Sequence, residues 1–338
     1  RVMTRTFDIA VIGATGSVGE ALVQVLEERE FPVANLYLLA SGESAGHSQP
    51  FKGKNVRVKA LESFDFASVR LVFLAAGEAA TRACIDQAKR AGCAVIDLAA
   101  ALPADVAPRV VPDVNPQVVE QLSAPYQLTS PAAVSVAVAT VLAALPETIR
   151  FKRVAITACL AVSSRGREGV VELARQTAEL LNGRALEPRL FDRQMAFNVL
   201  AQTGTVDEQG HVGLERRVAD ELKSLLGEPR LAVSVTCAQV PVFFGDSISV
   251  SILADAPVDV AAARKALDEK SGIEYVENDD YPTAVGDALG QDEVYVGRVR
   301  GGLDDPSELN LWIASDNVRK GAALNAVQLA ELLIKHYL

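Results

Sequence analysis

Three glycines at three-residue spacing follow the first hydrophobic run of the chain, and they constrain its fold more than any other feature. Residues 7–12 read FDIAVI, Gly13, Gly16 and Gly19 come next, and a segment with helical periodicity follows. Glycine permits the tight turn and close backbone approach needed where a pyrophosphate lies at a helix N-terminus. The pattern predicts a dinucleotide-binding turn; a glycine turn that serves only packing is the alternative.

The predicted cofactor site extends from this turn to the end of the second strand. Backbone N–H groups of residues 15–18 are expected to face the pyrophosphate. Glu43 lies where such folds bind the adenosine ribose, and a carboxylate there accepts from a ribose diol and repels a 2′-phosphate. NAD is therefore favoured over NADP, with a solvated loop glutamate or no bound cofactor as alternatives. The predicted cofactor-binding residues are Gly13, Thr15, Gly16, Ser17, Val18, Ser41, Glu43, Ser44 and Asn317.

Strand-like and helix-like segments alternate over the first part of the chain and change character afterwards. This alternation predicts an α/β class, with a Rossmann-like parallel sheet domain over residues 1–130. Longer alternating strands and amphipathic helices over residues 131–315 predict a second, α+β domain. The strong helical pattern in residues 316–338 is expected to return to the first domain.

Composition excludes several kinds of partner. A net charge of −10 argues against nucleic acid, which selects a basic face. The apolar runs are too short or too interrupted for a bilayer, and no secretory leader pattern is evident, so a cytoplasmic location is expected. Four cysteines without CxxC spacing and three scattered histidines predict free thiols and no metal site.

Four stretches carry a resemblance to a known family. They read GATGSVGEALVQVLEEREFPVANLYLLAS, VVPDVNPQ, PTAVGDALGQDEVYVGRVR and DNVRKGAALNAVQLAELLI. Together they make the chain similar, nearly end to end, to bacterial aspartate-semialdehyde dehydrogenase. The resemblance implies a homodimer and makes the second domain a substrate-binding and dimerisation domain. It also implies NADP- and phosphate-dependent interconversion of the semialdehyde and aspartyl phosphate, in lysine, threonine and methionine biosynthesis.

The chain departs from the family at the residue that reacts. Family members place a cysteine at the start of the second domain's first helix, where it forms a thiohemiacetal and then a thioester. The matching segment here is SPAAVS, residues 130–135, and Ala133 takes the cysteine position. A methyl group cannot form the covalent intermediate.

Other positions that the family uses are changed as well, in separate segments. The resemblance assigns the active-site glutamine to Leu160, the arginine that binds the substrate carboxylate to Gln239, and the acid–base histidine to Asp246. It assigns the phosphate-binding arginine to Pro103 and the arginine that favours NADP to Glu43. Asn198 still matches the family, and Glu215 and Arg217 lie near positions where the resemblance implies a substrate-contacting glutamate and a phosphate-contacting lysine. These three are the predicted substrate-side residues, with a solvated helix face as the alternative for the last two.

The leading hypothesis is therefore a family homologue that does not run the family reaction. It would be a dimeric nucleotide-binding protein with a regulatory or scaffold role, whose small-molecule ligand the sequence does not name. The alternative is an active NAD(P)-dependent oxidoreductase on an aldehyde or oxo group. Direct hydride transfer needs no thiolate, and Asp246 would then handle the proton. The family reaction itself remains the third hypothesis.

Overall fold

The computed structural model describes residues 5–277 and 279–338. The chain divides into two compact units, the first made of residues 1–131 and 322–338 and the second of residues 132–321. The α/β class and the two-domain organisation expected from the sequence are confirmed.

Helices and strands are numbered along the chain. The strands are β1 Phe7–Ile12, β2 Val33–Ala40, β3 Ser48–Phe51, β4 Lys54–Ala60, β5 Leu71–Leu74, β6 Ala94–Asp97, β7 Gln127–Thr129, β8 Phe151–Leu160, β9 Ala232–Gln239, β10 Asp246–Ala254, β11 Ile273–Tyr275, β12 Val294–Gly301 and β13 Glu308–Ser315. The α-helices are α1 Ser17–Glu28, α2 Glu78–Arg90, α3 Ala133–Ala144, α4 Arg167–Leu181, α5 Gly213–Leu225, α6 Val260–Glu269 and α7 Asn325–His336. Among the described residues, none of these helices combines the length and apolar character needed to cross a membrane.

The sheet of the first unit has the strand order β3-β4-β2-β1-β5-β6-β7. β3 pairs antiparallel with β4, and the remaining neighbours pair in parallel. β5 and β6 are buried along their whole length, as parallel strands covered on both faces are.

The glycine turn joins β1 to α1, and two of its glycines are required by space. Gly13 has a φ of +84°, and a Cβ on it would lie 2.6 Å from the backbone nitrogen of Ala76. A Cβ on Gly19 would collide with the carbonyl oxygen of Gly13, so α1 packs against the turn only because both positions are glycine.

The C-terminal helix completes the core of the first unit. Leu329 and Leu333 on α7 are fully buried in the same cluster as the strand residues. The Tyr337 hydroxyl donates to the Val119 carbonyl at 2.6 Å, and its ring stacks on Tyr126 at 4.2 Å.

The chain returns to the first unit at residue 322, later than the predicted residue 316. The reason is that the segment before it is hydrogen-bonded within the second unit. The Asp316 carboxylate accepts from the N–H groups of Val318 and Arg319 and from that of Gly290. Asn317 accepts from the Gly245 N–H at 2.9 Å.

The second unit is built on a sheet with the order β11-β12-β13-β10-β8-β9. β8 pairs in parallel with β9, and β11 with β12, whereas β10 pairs antiparallel with both β8 and β13. α3 is apolar around its whole circumference, and almost all of it is buried. A helix without a polar face has to be covered on all sides, which places its first turn inside the unit.

Candidate functional site

A cavity of about 520 Å³ lies beside the glycine turn in the first unit. Its lining includes four of the predicted cofactor-binding residues, namely Gly13, Thr15, Ser41 and Ser44. Gly16, Ser17 and Val18 are not among the lining residues, and the Gly16 N–H donates to the Gly13 carbonyl at 3.2 Å. The turn therefore uses one of the predicted pyrophosphate donors to close itself.

Two glutamates lie near this cavity, and only one of them lines it. Glu43 is exposed on the short turn Gly42–Ser44 after β2, and it is not a lining residue. Glu62 lies on the turn Leu61–Ser63 after β4 and does line the cavity. The sequence analysis singled out Glu43 and missed Glu62.

The first residue of α3 is Ala133, which the sequence resemblance assigns to the nucleophile position. It is half-buried, and its side chain lies against Gly321, where a Cβ would be 2.6 Å from the Ala133 Cβ. The N-cap residue, Ala132, has no side chain that could cap the helix. The free N–H groups of the first turn therefore need another acceptor.

One acceptor at this end of the helix is the buried carboxylate of Glu221 on α5. Its Oε1 accepts from the Ala132 N–H at 3.0 Å and from the Ser135 hydroxyl at 2.9 Å. Its Oε2 accepts from Nε of Arg217 at 3.2 Å. An internal negative charge thus already lies at the helix N-terminus, where the helix dipole would otherwise favour an external anion.

Leu160, Gln239 and Asp246 meet at one edge of the second unit's sheet. Leu160 ends β8, Gln239 ends β9, and these two residues are paired in register. Asp246 begins β10, and its Oδ1 accepts from the N–H of Ala161 at 3.3 Å. The exposed fractions of the three residues are 2%, 1% and 2%, so all three side chains are inside the protein.

The Gln239 carboxamide is turned toward the protein backbone. Its Nε2 donates to the carbonyls of Leu160 and Ala161 at 2.9 and 2.8 Å. Its Oε1 is buried without a partner among the described residues. An amide held in this way secures the end of β8 and carries no positive charge for a substrate carboxylate.

The Asp246 carboxyl has a raised pKa. Burial raises its pKa from 3.8 to about 7; the Ala161 hydrogen bond lowers the pKa, and the nearby Asp316 raises it. Near neutral pH this buried carboxyl is therefore partly protonated instead of carrying a full negative charge.

The retained family-like residues are separated by the structure. Asn198 is exposed and lines a second cavity of about 760 Å³. Glu215 is only 9% exposed and accepts from the backbone N–H groups of Val212 and Cys237 at 3.0 and 2.9 Å. Its interpretation as a solvated helix residue is therefore wrong, because it ties α5 to β9. Arg217 is the partner of Glu221 described above.

The remaining predicted positions have local structural roles. Pro103 is exposed, and its carbonyl accepts from the N–H groups of Val106 and Ala107, which forms a tight turn. Asn317 donates from Nδ2 to the Ser163 hydroxyl at 2.9 Å.

A buried glutamate that sequence reasoning missed fixes the segment leading to Asn198. The Glu172 carboxylate on α4 accepts from the backbone N–H groups of Arg189, Leu190 and Phe191 at 3.0, 2.6 and 2.9 Å. It lies on an amphipathic helix and is only 4% exposed. No sequence signal separates it from the exposed glutamates of the same helix.

The cysteines are free thiols, as expected. Burial raises the pKa of all four, and the negative charge of Asp246 also raises that of Cys159. Over the described ranges, no three histidine, cysteine or acidic side chains are grouped in a way that could hold a metal ion.

Two family models match the chain. Residues 8–122 match the model described as semialdehyde dehydrogenase, NAD binding domain. Residues 142–320 match the model described as semialdehyde dehydrogenase, dimerisation domain.

Curated relatives and solved structures are similar over nearly the full length. The USG-1 protein homolog of Azotobacter vinelandii is 60% identical, over 98% of this chain and 99% of that protein. Aspartate-semialdehyde dehydrogenase 2 of Vibrio cholerae is 39% identical, over 99% and 100%. The structure of a probable aspartate-semialdehyde dehydrogenase from Pseudomonas aeruginosa superposes with a TM-score of 0.96 at 58% identity, over 99% of this chain and 100% of that one.

Proposed function

The chain belongs to the aspartate-semialdehyde dehydrogenase family, and on that premise we propose that it is a dimeric nucleotide-binding protein with a regulatory or scaffold role. We further propose that it does not carry out the family's thioester-forming, phosphate-dependent oxidation of aspartate semialdehyde. The observation that carries this proposal is the first turn of α3. It offers a methyl group at Ala133, and the Glu221 carboxylate beside it accepts from the N–H of the N-cap residue Ala132.

No neighbouring side chain takes over as the nucleophile. The Ser135 hydroxyl donates to Glu221, but it is fully buried and has no access to a substrate. The Cys159 thiol has its pKa raised by burial and by Asp246, which disfavours the thiolate that would attack a carbonyl.

The nucleotide-binding part of the proposal rests on the first unit. The glycine turn, the cavity beside it and the NAD binding domain match all concern the same residues. We propose NAD as the preferred dinucleotide, because the carboxylate of Glu62 lines the cavity beside the glycine turn.

A homodimer is proposed from the dimerisation domain match and from exposed apolar side chains in the same unit. Phe197 and Val199 are 65% and 61% exposed, close together on one loop. Apolar side chains grouped on a surface often mark a contact between proteins. Sedimentation velocity should therefore give the mass of two chains.

One observation favours an alternative function. A carboxyl with a pKa of about 7 could donate a proton to an oxygen that receives a hydride, which would make the chain an NAD(P)-dependent oxidoreductase with altered chemistry. Against this role, Asp246 is only 2% exposed, whereas an acid catalyst has to touch its substrate.

The proposal is tested by measuring binding and turnover together. We expect saturable NAD binding by calorimetry, and no NADH or NADPH formation from aspartate semialdehyde and phosphate above a protein-free blank. Turnover dependent on phosphate would contradict the proposed loss of chemistry. Hydride transfer to another aldehyde without phosphate would establish the oxidoreductase alternative.

The Ala133→Cys variant should not recover the family reaction. The new thiol would stand on a helix N-terminus, which lowers its pKa, but the Glu221 carboxylate beside that turn opposes the thiolate. Gln239 cannot hold a substrate carboxylate, and Asp246 is not an imidazole. Since catalytic groups act as a unit, restoring one recovers little activity. The assay is reduction of NADP or NAD with aspartate semialdehyde and phosphate.

Two further variants sharpen this test. Ala133→Cys combined with Glu221→Gln should be alkylated by iodoacetamide faster than Ala133→Cys alone, because an opposing charge is gone. Activity should need at least Ala133→Cys, Gln239→Arg and Asp246→His together, and also an arginine near Pro103. Strong turnover by the single Ala133→Cys variant would show that the present residues still support the reaction.

A further inference from the structure

The cavity beside the glycine turn has one acidic side chain among its described lining residues. Its single charged lining residue is Glu62, on the turn after β4. We propose that Glu62 is the residue that makes this cavity select a dinucleotide with a free ribose 2′-hydroxyl over one with a 2′-phosphate. This inference rests on the proposed nucleotide binding and names the side chain that sets its specificity.

The sheet topology brings Glu62 to this position. β2 and β4 are neighbours and parallel, with Ala40 paired with Ala60. The turns that follow the two strands therefore leave the same edge of the sheet side by side. Oε2 of Glu62 lies 4.0 Å from the point that a Cβ on Gly42 would occupy. The carboxylate thus reaches the turn after β2, where Ser41 and Ser44 line the cavity.

The apolar part of the lining indicates where the adenosine end of a dinucleotide would lie. Leu61 and Phe66 come from the segments after β4, and Ala80, Ala83 and Cys84 come from α2. These side chains are apolar and come from two separate segments, so we expect the base to lie among them. Gly13 and Thr15 line the same cavity on the side of the glycine turn. The ribose then falls between the apolar side chains and the glycine turn, next to Ser41 and Glu62.

The chemistry of a carboxylate at that point is selective. It accepts hydrogen bonds from the two hydroxyls of an unmodified ribose, and it repels a phosphate dianion. No lysine or arginine is among the lining residues to offset this repulsion. The guanidinium of Arg57 approaches the turn at Gly46, 4.0 Å from that residue's Cβ position, but it does not line the cavity.

Glu43 provides a matched comparison. It is an exposed glutamate on the turn after β2, where a sequence reading alone places the ribose contact, and it lies outside the cavity lining. Substituting glutamine at either position removes one negative charge and keeps the side-chain length. Both side chains are exposed, so the two variants contrast the loss of a charge that lines the cavity with the loss of one that does not.

The test is calorimetric titration of the full chain with NAD⁺ and with NADP⁺ at one fixed salt concentration. The wild-type protein should bind NAD⁺ about tenfold or more tightly than NADP⁺. Glu62→Gln should shrink this ratio by about fivefold or more, mostly through tighter NADP⁺ binding, and Glu43→Gln should change it by less than about twofold. Added salt should reduce the wild-type ratio and leave the Glu62→Gln ratio nearly constant.

Three results would overturn the inference. A ratio unchanged in Glu62→Gln would show that its carboxylate does not face the ribose. A large change in Glu43→Gln alone would assign the selection to the turn after β2. If the wild-type protein bound NADP⁺ more tightly than NAD⁺, no carboxylate could be selecting against the 2′-phosphate. Failure of the wild-type protein to bind either nucleotide would instead refute the proposed nucleotide binding, and this inference with it.

Discussion

Replacing Glu172 with alanine should lower the free energy of unfolding of the second unit by about 4 kcal/mol, because it removes the acceptor of several buried donors at once. The carboxylate accepts from three successive backbone N–H groups in residues 189–191, and also from Nε2 of Gln176 at 3.2 Å. Without it the N–H of Phe191 is buried without this acceptor, and those of Arg189 and Leu190 lose theirs in a partly buried position. Glu172→Gln keeps one acceptor oxygen and should lose roughly half as much.

Hydrogen exchange gives a local measure of this effect. The amides of Leu190 and Phe191 should lose protection in Glu172→Ala to a greater extent than the amides of β8. Glu168→Ala, an exposed glutamate one turn earlier on α4, is the control, and its unfolding free energy should change by less than about 1 kcal/mol. If Glu172→Ala and Glu168→Ala lowered the free energy of unfolding equally, the cause would be a general effect of the substitution on the helix. The hydrogen bonds to Glu172 would then not account for the loss.

The second large effect is a dependence of the free energy of unfolding on pH. The Asp246→Asn substitution should remove the part of this dependence that comes from Asp246. The pKa of Asp246 is about 7 in the folded chain and 3.8 as its reference value. Between pH 3.8 and about pH 7, the Asp246 carboxyl keeps its proton in the folded state and has lost it in the unfolded state. Stability from this group is therefore present below about pH 4 and is lost as pH rises to about 7, by at most about 4 kcal/mol at 1.4 kcal/mol per pKa unit.

Chemical denaturation between pH 5 and pH 8 would measure this loss. The wild-type protein should become less stable toward pH 8, and the slope should be much smaller in Asp246→Asn. Asp255→Asn changes an exposed carboxyl just after the same strand, so it should keep the wild-type slope. An unchanged slope in Asp246→Asn would place the proton uptake on another group.

Features with strong local patterns were predictable from the sequence. The glycine turn and the parallel strands around it follow from apolar runs and glycine spacing, and the structure has them. β3 and β4 were not predicted, because Ser48–Ala60 is largely polar and lies at the sheet edge, where strands need less burial. Without β4, the sequence offered no reason to consider Glu62.

Buried carboxylates were the main feature that the sequence concealed. Glu172, Glu215 and Glu221 all lie on amphipathic helices, where a glutamate is expected to face solvent. Each is instead held by backbone or side-chain donors that arrive from distant parts of the sequence. Residue identities at Ala133, Gln239 and Asp246 could be compared with the family, but the inward direction of the last two side chains required coordinates.

The interrupted first unit has a consequence for how the chain is made. The strands of its sheet all lie before residue 130, yet part of its hydrophobic core belongs to α7, which is synthesised after the whole of the second unit. The second unit is continuous in sequence, so its own core does not depend on Leu329 and Leu333. During translation the apolar face of the unfinished sheet stays uncovered, which is the period when binding to a chaperone matters most. A released chain truncated before residue 325 should therefore have a folded second unit and an incomplete first one.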